Sequence, residues 1–484
     1  MRKGAQGRFM SKKIGGQRMS SQSLQSIERL PRLVQAQRQP QQKTFWRRLF
    51  AIASPSGRSW HGGLKLRGYK ELSNADPIAP VAVGQLQLAI PLERGRRCAQ
   101  PCVQPGQPVR KGEVIGIGDH DTPWVHASTS GVVERVGLAY AADSAEPVMA
   151  VILNADGRDE WIERTVTEVP QTPEALVERA LRMGIVGLGG AGFPTALKLA
   201  DARHPDLLLI NGAECEPFLT CDDRLMRERA EALIESADYL ASLMGITLTR
   251  FGVETNKPEA MAALRAASRQ ARTRVEICPL PARYPAGGQP LMIKSLSGRN
   301  LAPGTRPAEI GVLALNVATL HALGRAAFHG EPLISRVLTL TGGCERPGNV
   351  EVPVGYPVSA LRALAGADSE GRLTQVGGPM MGQPLPDPAA VISKTSSCLI
   401  FAAERYLPAA QPAGSCIRCT RCVDVCPMSL RPLDLYAAAE RQDKADLQAL
   451  RLDACIECGS CSSTCPSHLP LRERFRQSKT ELRP

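Results

Sequence analysis

Aromatic residues are scarce in this chain, at 4% of 484 positions, and no long apolar run occurs. With few rings to bury, the core falls to aliphatic side chains, and hydrophobic residues at 43% supply enough of them for a folded protein. Nowhere do roughly 18 consecutive apolar residues appear, the length needed to cross a bilayer, so no transmembrane helix is expected. A secretion signal is lacking as well. Trp46-Arg47-Arg48-Leu49-Phe50 has the look of a twin-arginine export signal, but the apolar stretch behind it ends at Ser54-Pro55, short of an h-region of about 7–15 residues. Fifteen cysteines without such a signal belong in a reducing compartment, which excludes a disulfide scaffold.

Acidic residues are nearly absent from the front of the chain. The formal charge is +12, yet residues 1–50 alone hold twelve Lys or Arg and a single acid, Glu28. The remainder of the chain is close to neutral, so a basic nucleic-acid-binding face on the folded part is not indicated. The basic, Gln- and Ser-rich leader, residues 1–58, is predicted to be disordered. A solvated tail is the simpler reading; contact with anionic headgroups or nucleic acid is the alternative.

The length predicts about three domains or more. Residues 59–165 read as short β-segments, at 85–90, 114–117, 132–136 and 148–153. Within them Pro105-Gly106-Gln107-Pro108-Val109-Arg110-Lys111-Gly112 and Val125-His126-Ala127-Ser128-Thr129-Ser130-Gly131 resemble the halves of a biotinyl/lipoyl-carrier β-fold. The central lysine of a carrier is missing, which leaves a structural role. Cys98 and Cys102, at C-x₃-C with no second pair nearby, read as ordinary thiols, a metal-site fragment being the alternative. Residues 170–330 alternate helices (173–183, 223–244, 258–269) with apolar strands (207–210, 249–253), the α/β signature. Residues 334–404 return to strands and turns and resemble a β-grasp module of the soluble-ligand-binding (SLBB-like) type. The linker 408–414 leads into a ferredoxin-like α-helical segment, 412–470, and residues 471–484 form a basic helix or tail.

That last segment holds the strongest motif. Cys416-x₂-Cys419-x₂-Cys422-x₃-Cys426-Pro427 recurs as Cys455-x₂-Cys458-x₂-Cys461-x₃-Cys465-Pro466. Three thiolates at this spacing wrap one four-iron cubane, while the fourth serves the neighbouring cluster. The expected sets are therefore Cys416, Cys419, Cys422 and Cys465 for one [4Fe-4S] cluster, and Cys455, Cys458, Cys461 and Cys426 for the other. Structural zinc uses pairs of C-x₂-C and has no need of a third cysteine at that spacing. The residues between the runs, 432–452, read as helical, with Leu433, Tyr436, Leu447 and Leu450 available to pack against the clusters.

Gly187-Leu188-Gly189-Gly190-Ala191-Gly192 fits G-x-G-x-x-G, but the strand that must precede a dinucleotide fingerprint is missing. Phe193-Pro194-Thr195 starts a helix whose amides, with Lys198, could cradle a phosphate; a tight interhelical loop is the bland alternative. Asn211-Gly212-Ala213-Glu214-Cys215-Glu216 closes an apolar strand, where α/β folds bind ligands.

At these residues the chain resembles the C-subunit family of the Rnf (Rsx) ion-translocating electron-transport complex and, more distantly, the flavin subunit of respiratory complex I. The matching segments are Gly189 to Thr195, Asn211 to Arg224, Thr255-Asn256-Lys257-Pro258-Glu259, Tyr284-Pro285-Ala286-Gly287-Gly288, Leu315-Asn316-Val317-Ala318-Thr319-Leu320 and both cysteine runs. The resemblance implies a multidomain α/β architecture: a barrel-sandwich-like N-terminal domain, an FMN-binding core, a β-grasp module and a two-cluster ferredoxin domain. It implies FMN contacts from Gly189, Gly190, Gly192, Phe193, Thr195, Lys198, Asn211, Glu214, Asp222 and Asn316, with Glu216, Tyr284 and Gly287 on the nicotinamide side. No catalytic side chain is implied. Where both families usually carry a glutamate after this tyrosine, the chain has Gln289. The implied activity is that of an NADH-dependent oxidoreductase subunit, passing electrons between NADH and ferredoxin-type partners. The subunit would sit peripherally on the cytoplasmic face of the bacterial inner membrane, with partner subunits moving the ion. A soluble cobalamin reductase-like enzyme and a non-catalytic relay and docking subunit are the rivals.

Overall fold

The computed structural model describes residues 60–482 apart from 96, 164–167, 203, 368–372, 402–405 and 407–410. The basic leader therefore lies outside the described residues. Among those described, no helix is long and apolar enough to cross a membrane.

The first β-rich unit is antiparallel. A four-stranded sheet runs in the order Gln87–Pro91, Val148–Ala155, Gly131–Ala139, Pro108–Val109, and faces a three-stranded sheet of Gln100–Pro101, Val114–Ile117 and Val125–His126. Alternation puts Leu88, Ile90, Ile115, Val133, Val151 and Leu153 into one shared interior, as two stacked faces require. The carrier-like halves fall on its turns and inner strands.

The middle of the chain is a four-stranded parallel sheet in the order Arg274–Leu280, Leu248–Glu254, Leu207–Gly212, Val312–Asn316. Runs such as Leu207-Leu208-Leu209-Ile210 are buried because helices cover both faces. Thr172 caps the first helix, Pro173–Arg182, by accepting from the Ala175 amide, and glycines in the left-handed region stop three others, at Gly245, Gly298 and Gly330. The single helix expected over 223–244 is two, Cys221–Glu228 and Ala230–Met244. The break is at Arg229, whose guanidinium reaches Glu351 at 2.6 Å on the neighbouring sheet.

That neighbouring sheet is six-stranded and mixed, in the order Ala79–Pro80, Gly348–Pro353, Ser335–Gly342, Cys398–Phe401, Thr374–Val376, Gln383–Pro384, with the helix Val358–Ala365 packed on it. The last unit is a set of short helices, Arg421–Asp424, Pro432–Glu440, Lys444–Ala449, Ser460–Thr464 and Leu471–Leu482. The stretch read as helical, 432–452, holds two α-helices, with breaks at Gln442 and Arg451, both in the left-handed region. Leu447 is buried in this unit's own core, while Leu435 and Phe475 take the places facing the second cysteine set.

Candidate functional site

In chain order the parallel sheet reads three, two, one, four, so the direction of winding reverses between Leu207–Gly212 and Val312–Asn316. Open α/β sheets bind ligands beyond strand C-termini at such a reversal. Asn211 and Asn316 are direct partners there.

Around this point the predicted residues converge, though many spend their side chains on one another. Asn211 donates to the Gly287 carbonyl at 2.9 Å and accepts from the Ala213 amide at 3.1 Å. Asn316 caps the helix Val317–His329 with its oxygen and donates to Asp222 at 2.6 Å. Glu214 accepts from the Asp222 amide at 2.7 Å and from Asp223 at 3.3 Å, which starts the helix at Cys221. Burial and the nearby Glu214 charge push the Asp222 carboxyl up to about 7. These groups lie together at the C-terminal ends of the strands.

The glycine loop lies beside them, against Asn316. It is closed at its base by Gly187 donating to Phe193 at 2.8 Å, and Gly189, Gly190 and Phe193 at its tip are exposed. Gly190 has φ +105 and nothing within 4 Å of the side-chain position, and a methyl on Gly189 would meet Asn316 at 3.3 Å. The backbone here can be approached closely, which is what glycine allows. Gly192 completes the loop with φ +62 and donates to Gly187 at 3.0 Å. Next to it Thr195 buries a hydroxyl with no hydrogen-bond partner among the described residues. Lys198, half-buried, has its pKa lowered by burial alone. An orphaned hydroxyl beside a desolvated ammonium fits an anionic group such as a flavin phosphate.

Glu216 and Tyr284 turn elsewhere. Glu216 accepts from the Met380 amide at 2.9 Å, keeps its other oxygen buried and unpartnered among the described residues, and is pushed up to about 7 by burial. Tyr284 is 2% exposed and donates its hydroxyl to the Cys458 carbonyl at 2.6 Å, so it faces the cysteine segment. Gln289 is exposed at the first residue of the helix Gln289–Ser297.

Three further residues hold the site. Lys70 donates to the carbonyls of Glu214, Glu216 and Leu219, at 2.8, 2.8 and 2.5 Å, fixing the acidic turn. Lys257, buried, donates to Ala213 and pairs with Glu254, both at 2.8 Å. Arg472 bonds the carbonyls of Glu457 and Met381 at 3.0 Å each, joining the cysteine unit to the mixed sheet. The Thr255-Asn256-Lys257 string points to the second; nothing in the sequence near Lys70 points to the acidic turn.

The cysteines line two cavities. One is bounded by Cys416, Cys419, Cys422 and Cys465, with Leu433 and Tyr436; the other by Cys426, Cys455, Cys458 and Cys461, with Leu435 and Phe475. The interleaving is the one expected from the spacing, and four thiols around an otherwise apolar space suit a cubane. Leu433 lines the first cavity and Pro432 the second, so the two lie side by side. Left-handed residues recur at matching places in the runs, Arg418 with Glu457, Thr420 with Gly459, and Ser429 with His468. Cys98 and Cys102 are exposed, and their thiols lie against nearby carbonyls, Ala99 and Val114.

These features fit a protein that holds a flavin and two iron–sulfur clusters. Residues 181–325 match the Nuo51 FMN-binding domain, residues 58–158 the RnfC barrel sandwich hybrid domain, and residues 415–469 the 4Fe-4S dicluster domain. The C subunit of the ion-translocating oxidoreductase complex of Pseudomonas aeruginosa PAO1 is 44% identical over 87% of this chain and 55% of its own length. Its counterpart in Pasteurella multocida Pm70 is 41% identical over 88% and 52%, and that of Haemophilus influenzae PittEE 39% over 88% and 67%. The chain belongs to the C-subunit family of the ion-translocating oxidoreductase complex. It spans between about half and two thirds of the length of these relatives.

Proposed function

We propose that the chain passes electrons between NADH and an iron–sulfur partner protein, as a peripheral subunit on the cytoplasmic side of a membrane complex whose other subunits move an ion. The observation that carries this reading is the contact of the candidate flavin site with one cluster cavity: Tyr284, in the loop anchored by Asn211, bonds the backbone of Cys458.

FMN, when bound, supplies the exchange between a hydride and single electrons, which the clusters need because each carries one. Thr195 and Lys198 would hold its phosphate, and Gly189, Gly190, Gly192 and Phe193 would border it. Asn211, Glu214, Asp222 and Asn316 would keep the site in register. Glu216 sits between the pocket and the loop at Met380. Its carboxyl, poised near neutrality, can hold or release a proton there. The mixed sheet with its single helix would be the SLBB-like β-grasp module, bringing that loop to the site.

The set Cys426, Cys455, Cys458 and Cys461 would be the entry cluster. The set Cys416, Cys419, Cys422 and Cys465 would be the exit, since Cys416 and Cys419 are exposed and Ile417 between them is 66% exposed. A docking subunit without NADH chemistry is the second reading, favoured by the uncharged Gln289. Anaerobic addition of NADH to protein reconstituted with FMN, iron and sulfide separates the two. Bleaching of the flavin supports the proposal; a flavin left oxidised favours the second reading.

A further inference from the structure

Residues 60–72 belong to none of the β-sheets and run across the junction of the candidate flavin site and the entry-cluster cavity. We propose that Trp60 to Leu64 is a positioning strap that sets the Cys426 loop against the Tyr284 loop, and so sets how fast electrons reach the entry cluster; this rests on the electron route proposed above.

The contacts are made in both directions from one short stretch. Gly63 donates to the Val425 carbonyl at 2.8 Å, and Leu64 exchanges two 2.8 Å hydrogen bonds with Tyr284. Gly62, at φ +72, lies so close to the cysteine loop that a methyl would meet the Cys426 carbonyl carbon and oxygen at 2.6 Å. On Gly63, at φ +76, it would meet the Tyr284 carbonyl at 2.6 Å. Backbone lies against backbone on both sides, where a side chain cannot be accommodated without displacement. Trp60 wedges beneath, packed with Ala286 and Leu291 of the flavin unit and with Met428 and Ile456 of the cluster unit. Leu64 sits in one apolar group with Tyr284, Met380 and Cys458.

The far end is anchored to the acidic turn. Gly68 accepts from the Phe218 amide at 2.7 Å, Tyr69 stacks on Phe218 with ring centroids 4.5 Å apart, and Lys70 holds its three carbonyls. One continuous stretch thus touches the acidic turn, the Tyr284 loop and an entry-cluster ligand. In the transfer concerned, NADH is oxidised by loss of a hydride, each cluster is reduced by one electron, and the accompanying proton leaves to solvent. The strap alters no charge; it fixes a separation.

The test uses the full chain reconstituted anaerobically with FMN, iron and sulfide. Gly62→Ala is compared with Gly84→Ala, which imposes a similar backbone strain, at φ +59, where nothing lies within 4 Å. In Gly62→Ala, iron and flavin contents should match wild type, NADH should bleach the flavin within about twofold of its normal rate, and cluster bleaching should slow about tenfold or more. Amide hydrogen exchange should rise together in residues 283–288 and 423–429. Gly84→Ala should change none of these. Normal cluster bleaching with unaltered exchange in Gly62→Ala overturns the strap. Should that variant lose iron, Trp60→Ala, which leaves the Cys426 backbone alone, replaces it, and normal cluster bleaching there is equally decisive against the proposal. A wild-type flavin unresponsive to NADH counts against the electron route instead, and the exchange comparison then decides the strap.

Discussion

The two cysteine cavities have the same ligand spacing and different surroundings. Around Cys416 and Cys419 the chain from 411 to 420 is exposed throughout, whereas Cys426 and Cys458 are buried beneath the Tyr284 loop and the 60–64 stretch. Spacing sets the ligand pattern; under the proposed route the neighbours would decide which centre receives electrons and which hands them on. The Cys426 set is covered by the Tyr284 loop and the 60–64 stretch, and the Cys416 set opens on solvent with Ile417 and Arg418 beside it.

Removing one ligand from each cavity gives the largest expected asymmetry. Cys458→Ser and Cys419→Ser should each lose about half of the iron. Only the first should also abolish NADH-driven reduction of the remaining cluster, read by electron paramagnetic resonance. Equal reduction in both variants would remove the distinction between entry and exit.

Lys198→Met sharpens the comparison from the flavin side. Loss of a charged hydrogen bond worth roughly 1.5–3 kcal/mol should weaken FMN binding about tenfold to a hundredfold. Dithionite reduction of both clusters should be unaffected. Quenching of FMN fluorescence on titration measures the first, and cluster absorbance the second.

Glu216 lies between the regions and supplies a pH dependence. Its carboxyl is raised from the ordinary 4.5 to about 7, so its contribution to stability is full below the ordinary value and is lost as pH rises through 7. The loss amounts to about 3 kcal/mol at most. Glu216→Gln should reduce the fall in thermal midpoint between about pH 5 and 8. Some slope should persist, because Asp222 is raised to about 7 as well. An unchanged slope would mean that Glu216 does not titrate there.

Tyr284→Phe should have the smallest effect. One neutral hydrogen bond to the Cys458 carbonyl is removed, worth about 1 kcal/mol. A slight drop in the temperature of iron release is expected, with flavin content unaltered.

The cluster ligands can be read from the sequence because a cubane's geometry is encoded in local spacing, and crossing follows from a fourth cysteine that cannot fold back. Two of the four parallel strands, Leu207–Gly212 and Leu248–Glu254, are legible for a similar reason, as short buried apolar runs. The break at Arg229 is not, since it answers to Glu351, far along the chain. Nor are Lys70 on the acidic turn or the glycines against Cys426 and Tyr284, because contacts between distant segments leave no periodicity. The candidate flavin site is half legible: the sequence points to the asparagines and acids, but these bond one another, leaving Thr195 and Lys198 with unspent capacity among the described residues.

The most direct test is freeze-quench paramagnetic resonance of anaerobic, fully reconstituted protein mixed with NADH. The account predicts that the cluster of Cys426, Cys455, Cys458 and Cys461 is reduced at the earliest times and that the Cys416 set follows. Reduction of the exposed set first, or of neither while dithionite reduces both, would contradict it.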